Sequence, residues 1–280
     1  MLIDTHAHLN FAAYKDDLDE VVGRIQNEGM KVINVGSQYS TSQRAVELCK
    51  KYPGTMYAAV GLHPLHLFKM DVDEAELSFT TRREEFNSEA YEKLTKQPGV
   101  VAIGECGPDY FHQPEGVSVT EFKTKQKWAF LKQIELAKKL DLPVIVHCRG
   151  EQNDMHPAYG DVTTILTEAS FSKAVVHCYT GNWEDAKKLL EAGLMISFTG
   201  IITYPKTAAL AEVVKKTPLE RIMVETDCPY LAPQIVRGKR NEPVYVRYVA
   251  ARIAEIKGLP YDEVVERTTQ NAVTFFKLKV

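Results

Sequence analysis

The sequence predicts a (β/α)₈ TIM barrel, on three observations. Eight short apolar runs recur along the chain, stretches with helical spacing separate them, and histidines or acidic residues stand where five of the runs end. With 280 residues and 45% hydrophobic content, the chain can bury a full core, and one barrel of about 250 residues is a natural size, read as a single domain over 1–280.

The runs lie at 1–3, 31–35, 56–60, 100–103, 144–146, 174–176, 194–197 and 221–224. They are β-branched or continuously apolar, as parallel strands covered on both faces are, and Pro143 sits at a strand start, where a missing donor costs little. Between runs, Trp128, Leu131, Ile134 and Ala137 recur at helical spacing. Alternating strands and helices imply parallel strands joined by crossovers, for which an open doubly wound sheet is the structural rival. The longest region without a clear strand, 65–97, carries a highly charged portion at 71–94, read as a solvated helix.

The net charge of −3 and pI near 6.3 exclude a general electrostatic attraction to nucleic acid, so any phosphate binding must be local. No apolar run reaches about 18 residues, and the amino terminus lacks a signal-peptide pattern. A cytoplasmic protein with no membrane association and no obligate protein partner is the expectation. Cys49, Cys106, Cys148, Cys178 and Cys228 never form C-x-x-C, which suits a reducing compartment.

Polar residues follow the runs in a pattern: His6 and His8 after the first, Glu105 after the fourth, His147 after the fifth, His177 after the sixth and Asp227 after the eighth. In a barrel the carboxyl ends of the strands form one rim, so these six residues would converge on one mouth. His6 and His8 share a strand face and can reach one ion, and Asp4 shares their parity. Imidazole and carboxylate ligands suit zinc, manganese, iron or nickel, whereas magnesium wants a mainly oxygen shell. Four cysteines directly follow a proposed ligand, and strand alternation turns them toward the helices as small buried hydrophobes.

These residues lie in motifs that resemble the TatD family of metal-dependent deoxyribonucleases, within the amidohydrolase-like barrels. The likeness runs end to end: IDTHAHLN at 3–10, GLHP at 61–64, AIGECGPDY at 102–110, QKWAFLKQIELAKKLDLPVIVHCR at 126–149, VVHCYTG from Val175, ETDCPYLAP from Glu225 and RGKRNEP from Arg237. The resemblance implies two divalent ions (magnesium, manganese or zinc), with His6 and His8 on one, His147 and His177 around the other, Glu105 between them and Asp227 beside the nucleophilic water. Asp227 and Glu105 are thus the catalytic candidates. The chain departs from the family pattern at Pro108 for the usual leucine of GLDY, at Tyr179 in HCYTG, and at Leu65, which displaces His66 by one position and leaves it without the family's second histidine role.

Paired ions would supply an acidified water and offset charge on phosphoryl oxygens during in-line attack. Substrate contacts are expected from His63, from Arg149 on the His147 strand face, from Tyr110 as a stacking surface, and from Arg237, Lys239 and Arg240 overhanging the mouth. A narrow mouth admits a strand end more readily than a duplex, so the leading expectation is a 3′-5′ exonuclease on single-stranded DNA. A metal-dependent ester or amide hydrolase, such as a D-aminoacyl-tRNA deacylase, would use the same water, and a silent binding barrel would lack at least one ligand.

Overall fold

A computed structural model describes residues 1–74, 77–152 and 154–279. Its strands are β1 (Ile3–Ala7), β2 (Lys31–Val35), β3 (Met56–Val60), β4 (Asp71–Glu74), β5 (Leu77–Thr80), β6 (Val100–Cys106), β7 (Val144–Val146), β8 (Ala174–Val176), β9 (Met195–Phe198) and β10 (Ile222–Val224). The helices are α1 (Leu18–Asn27), α2 (Tyr39–Lys51), α3 (Ser88–Thr95), α4 (Val119–Leu140), α5 (His156–Glu168), α6 (Trp183–Glu191), α7 (Ala208–Lys216), α8 (Val246–Lys257) and α9 (Tyr261–Phe276).

Eight strands form one parallel sheet in the order β1-β2-β3-β6-β7-β8-β9-β10, which follows the chain without the order reversal of a doubly wound sheet. The two ends meet beyond β10. The Asp227 N–H donates to the His6 carbonyl (2.8 Å), the His8 N–H to the Cys228 carbonyl (2.9 Å), and the Thr5 hydroxyl to the Val224 carbonyl (3.1 Å). Asp4 reinforces this seam. Its buried carboxylate accepts from the Thr226 N–H (2.9 Å), the Thr226 hydroxyl and the His6 N–H (3.2 Å).

The core divides as strand alternation requires. Ile145 packs in one cluster with Ile3, Ile33, Val175 and Met223, closed by Phe276 and Leu278 from the carboxyl-terminal end. Its neighbours Val144 and Val146 belong to the layer beneath the helices, with Phe130, Ile134 and Ala137 of α4. No helix among the described residues is long and apolar enough to cross a membrane.

Two expectations need correction. The segment 71–94 is not one helix: β4 and β5 form an antiparallel hairpin, and only Ser88–Thr95 is helical. Charge drew the reading toward helix, yet Asp71-Val72-Asp73 and Leu77-Ser78-Phe79 alternate with period two, and Asn87 caps the helix by accepting from the Ala90 N–H (3.0 Å). The first strand also continues to Ala7, and β6 to Cys106, so His6 and Glu105 lie within strands instead of following them. Backbone pairing thereby fixes these two side chains more firmly than a loop would.

Candidate functional site

The barrel delivers all six sequence-selected ligands to one mouth. Glu105 stands at the centre: its Oε1 lies 2.7 Å from His177 Nε2 and 2.8 Å from His147 Nδ1, while its Oε2 lies 3.5 Å from His6 Nε2. Asp227 Oδ1 faces the other side, 3.2 Å from His8 Nε2 and 3.6 Å from His6 Nε2. Two compact donor groups result, His6–His8–Asp227 and His6–Glu105–His177, each with its ligand atoms within 4.8 Å of one another. Nitrogen and carboxylate donors at such spacing suit a divalent transition ion.

For His8, His147, His177 and His63, the outer partner decides which nitrogen faces the mouth. His8 Nδ1 sits 2.8 Å from the Val35 carbonyl, so it must donate, leaving the Nε2 lone pair for an ion. His147 Nε2 lies 3.1 Å from Asp109 Oδ2, which leaves Nδ1 to face Glu105. His177 Nδ1 lies 3.4 Å from Glu225 Oε1 and presents Nε2. His63 is reversed: its Nδ1 accepts from the Leu65 N–H (3.2 Å), so Nε2 carries the proton and points toward Glu105 Oε1 at 3.5 Å. His63 also groups by distance with Glu105 and His147, but a nitrogen that carries a proton is a donor and not a ligand.

The electrostatics agree with a cation site. Burial alone would raise Glu105, but the charge of His177 and the hydrogen bonds from His147 and His177 hold it well below the usual carboxylate range. Asp227 behaves alike: burial opposes ionisation, and the hydrogen bond from His8 and the charges of His6 and His8 lower it. In return, burial would lower His177, His147 and His8, yet their facing carboxylates raise all three. Burial and the neighbouring His147 keep His63 well below the histidine range, hence neutral. Carboxylates that draw protons onto imidazoles would equally draw a divalent ion, which competes for the same lone pairs. The residues therefore fit a metal.

A cavity of about 750 Å³ opens above them, lined among others by Phe11, Arg44, His63, Arg149, Ile201 and Tyr230. An opening of about 800 Å³ near Tyr204 and Tyr248 holds only Arg252 and Glu255 as charged groups, so chemistry and not volume marks the site. The expected substrate contacts divide. His63 and Arg149 line the mouth, with the Arg149 guanidinium 4.1 Å above the Phe111 ring. Tyr110 does not: it is 4% exposed, packs near Phe122 and donates its hydroxyl to Asp161 Oδ2 at 2.6 Å. The loop at 237–240 is also absent from the cavity wall. Arg240 is held by Asp17 at 2.8 Å over the Tyr14 ring, and Arg237 lies over Tyr204.

The cysteines are reduced, and Cys106 and Cys228 are buried as expected, whereas Cys148 is buried yet lines the cavity. Cys178 departs from that pattern: β8 ends at Val176, so strand alternation no longer applies, and Cys178, at φ 45°, reaches the cavity wall along with Cys148. Sequence reasoning missed two carboxylates, Asp109 and Glu225, each 1% exposed. Glu225 accepts from the Cys178 N–H and the Ser197 hydroxyl, both at 2.6 Å, and so holds the turn that carries His177. Both acids stand just past strand ends, the same signal that marked the ligands.

Comparison with known proteins gives a consistent result. A family model described as TatD related DNase matches residues 3–277. The chain is 38% identical over 281 residues to the uncharacterized metal-dependent hydrolase YabD of Bacillus subtilis, covering 99% of this chain and 100% of that one. It is 32% identical over 288 residues to the 3′-5′ ssDNA/RNA exonuclease TatD of Erwinia amylovora, again covering 99% and 100%. Among solved structures it is similar to YJJV, a TatD homolog from Escherichia coli K12, with a TM-score of 0.81 at 27% identity over 99% of this chain and 98% of that one.

Proposed function

Because the chain belongs to the TatD family of metal-dependent hydrolases and nucleases, which act on ester bonds, we propose that it trims single-stranded DNA from the 3′ end with two divalent ions in its mouth. One observation carries this reading: the two oxygens of Glu105 face different histidines, Oε1 toward His147 and His177 and Oε2 toward His6. A carboxylate so placed would bridge two ions. Such ions, when bound, would acidify a water and offset charge on the phosphoryl oxygens.

The chain's own residues divide the remaining work. His6, His8 and Asp227 hold one side, His147 and His177 the other. Asp227 is the more accessible carboxylate, with its side chain 15% exposed against 6% for Glu105, so it would take the proton of the attacking water. Water oxygen would bond to phosphorus as the bond to the leaving oxygen breaks, and the leaving oxygen would take up the proton that Asp227 removed. His63 Nε2–H would donate to a phosphoryl oxygen, and the planar Arg149 fork would grip an adjacent phosphate. The name of the Erwinia relative supports the polarity and admits RNA as well as DNA.

A second reading, hydrolysis of a carboxylic ester such as the aminoacyl link of D-aminoacyl-tRNA, would use the same activated water. The two readings separate on substrates. A 5′-labelled oligonucleotide should shorten stepwise, and a 3′-phosphorothioate linkage should block it. Deacylation of aminoacyl-tRNA with the oligonucleotide intact would favour the second reading.

A further inference from the structure

Asp109 lies one layer outside the ligands and makes more hydrogen bonds than a loop needs. Its carboxylate is 1% exposed and receives the Phe111 N–H (3.1 Å), the His112 N–H (3.0 Å), His112 Nδ1 (3.0 Å) and His147 Nε2 (3.1 Å). Its main chain is clamped by Gln126 of α4, which accepts from the Asp109 N–H and donates to its carbonyl, both at 2.8 Å. The ladder between β6 and β7 is extended past the strand ends: the Arg149 N–H donates to the Pro108 carbonyl (3.0 Å) and the Tyr110 N–H to the Arg149 carbonyl (2.7 Å). Gly107 permits this approach, since a Cβ there would lie 2.0 Å from the His147 carbonyl oxygen.

We propose that Asp109 is the positioning residue of the second ion's subsite: by accepting the Nε2 proton of His147 it turns Nδ1 toward Glu105 and ties the Phe111–His112 wall of the mouth to that imidazole. The inference rests on the two-ion reading above. An imidazole has two nitrogens, and whichever donates outward leaves the other as the ligand. β7 ends at Val146, so strand pairing fixes the His147 backbone through its N–H on the Cys106 carbonyl (2.9 Å), whereas Asp109 fixes the ring.

The alternative is that Asp109 merely shapes its own turn, and Asp109→Asn separates the two. Oδ1 alone takes both turn N–H groups, so asparagine keeps the turn. Its amide nitrogen then replaces Oδ2, leaves His112 Nδ1 to its 3.0 Å contact with Oδ1, and meets His147 Nε2 with a donor, favouring the tautomer whose proton sits on Nδ1. Full-length protein, stripped by chelation, is titrated with manganese(II) by calorimetry. Wild type should bind two ions, and Asp109→Asn should bind the first unchanged and the second about 10- to 100-fold more weakly, with an unaltered metal-free melting temperature. Asp161→Ala, which removes the Tyr110 partner in the same loop, should bind both as wild type does.

Two tight ions in Asp109→Asn, or equal weakening in Asp161→Ala, would overturn the proposal. A wild type holding one ion would instead remove the two-ion reading and this inference together. Should Asp109→Asn not fold, long-range ¹H–¹⁵N spectra of zinc-loaded wild type decide directly: ligation of His147 through Nδ1 is expected, and ligation through Nε2 would overturn it.

Discussion

Three histidines at the mouth are assigned by the atom behind them. His8 backs onto a carbonyl, His147 onto a carboxylate, and His63 onto an N–H, so the first two offer lone pairs and the third offers a proton. His63→Ala should therefore leave metal stoichiometry unchanged in mass spectrometry while lowering kcat/KM about 10- to 100-fold, the scale of one hydrogen bond to a charged group. His63→Gln, which restores an N–H donor, should recover part of that loss. Loss of an ion in His63→Ala would mean that His63 is a ligand. The six candidate ligands were legible because histidines are few in the chain and all six residues stand at or near the carboxyl ends of barrel strands. Asp109 and Glu225 have the same placement but were overlooked, because an acid that serves a histidine looks in sequence like any other acid.

At the level of strands, the barrel closes through Asp4. Burial holds its carboxyl well above the usual range, which means the folded state favours the protonated acid and ionisation above that range works against the seam. Asp4→Asn keeps an acceptor for the Thr226 and His6 N–H groups and gives a donor to the Thr226 hydroxyl, so its melting temperature at neutral pH should equal or exceed that of wild type. Asp4→Ala leaves both N–H groups buried without an acceptor and should cost about 2 to 5 kcal/mol in denaturant unfolding. A destabilised Asp4→Asn would contradict this account. The eight barrel strands could be read from their apolar runs, with ends displaced by a few residues. The β4–β5 hairpin could not, since its strands are only four residues long and their period-two alternation is outweighed by the charged residues of β4 and of the segment after β5.

Over the whole molecule, charge is spent sparingly on the substrate. The chain carries a net −3, and Arg44 and Arg149 are the cationic side chains lining the cavity among the described residues, apart from histidines. With roughly 0.7 counterion released per cation on a single strand, log KM against log salt should have a slope of about 1 to 2. A slope above about 3 would mean that Arg237, Lys239 and Arg240 swing onto the substrate. The pH dependence of metal binding follows from the same mouth. Facing carboxylates raise His177, His147 and His8 against the effect of burial, so these imidazoles keep protons to higher pH than usual. An ion must displace those protons; its affinity should rise with pH across the neutral range, with proton release seen as buffer-dependent heat in calorimetry. A pH-independent affinity would contradict that.

The most direct test of the central claim is cleavage of 5′-end-labelled single-stranded DNA by chelated wild type and Asp227→Ala, with magnesium, manganese or zinc added back. Stepwise shortening by wild type should return with metal, and a folded Asp227→Ala should lose it by at least about 100-fold. Intact DNA with folded, metal-loaded wild type would contradict that claim, as would full activity in the variant.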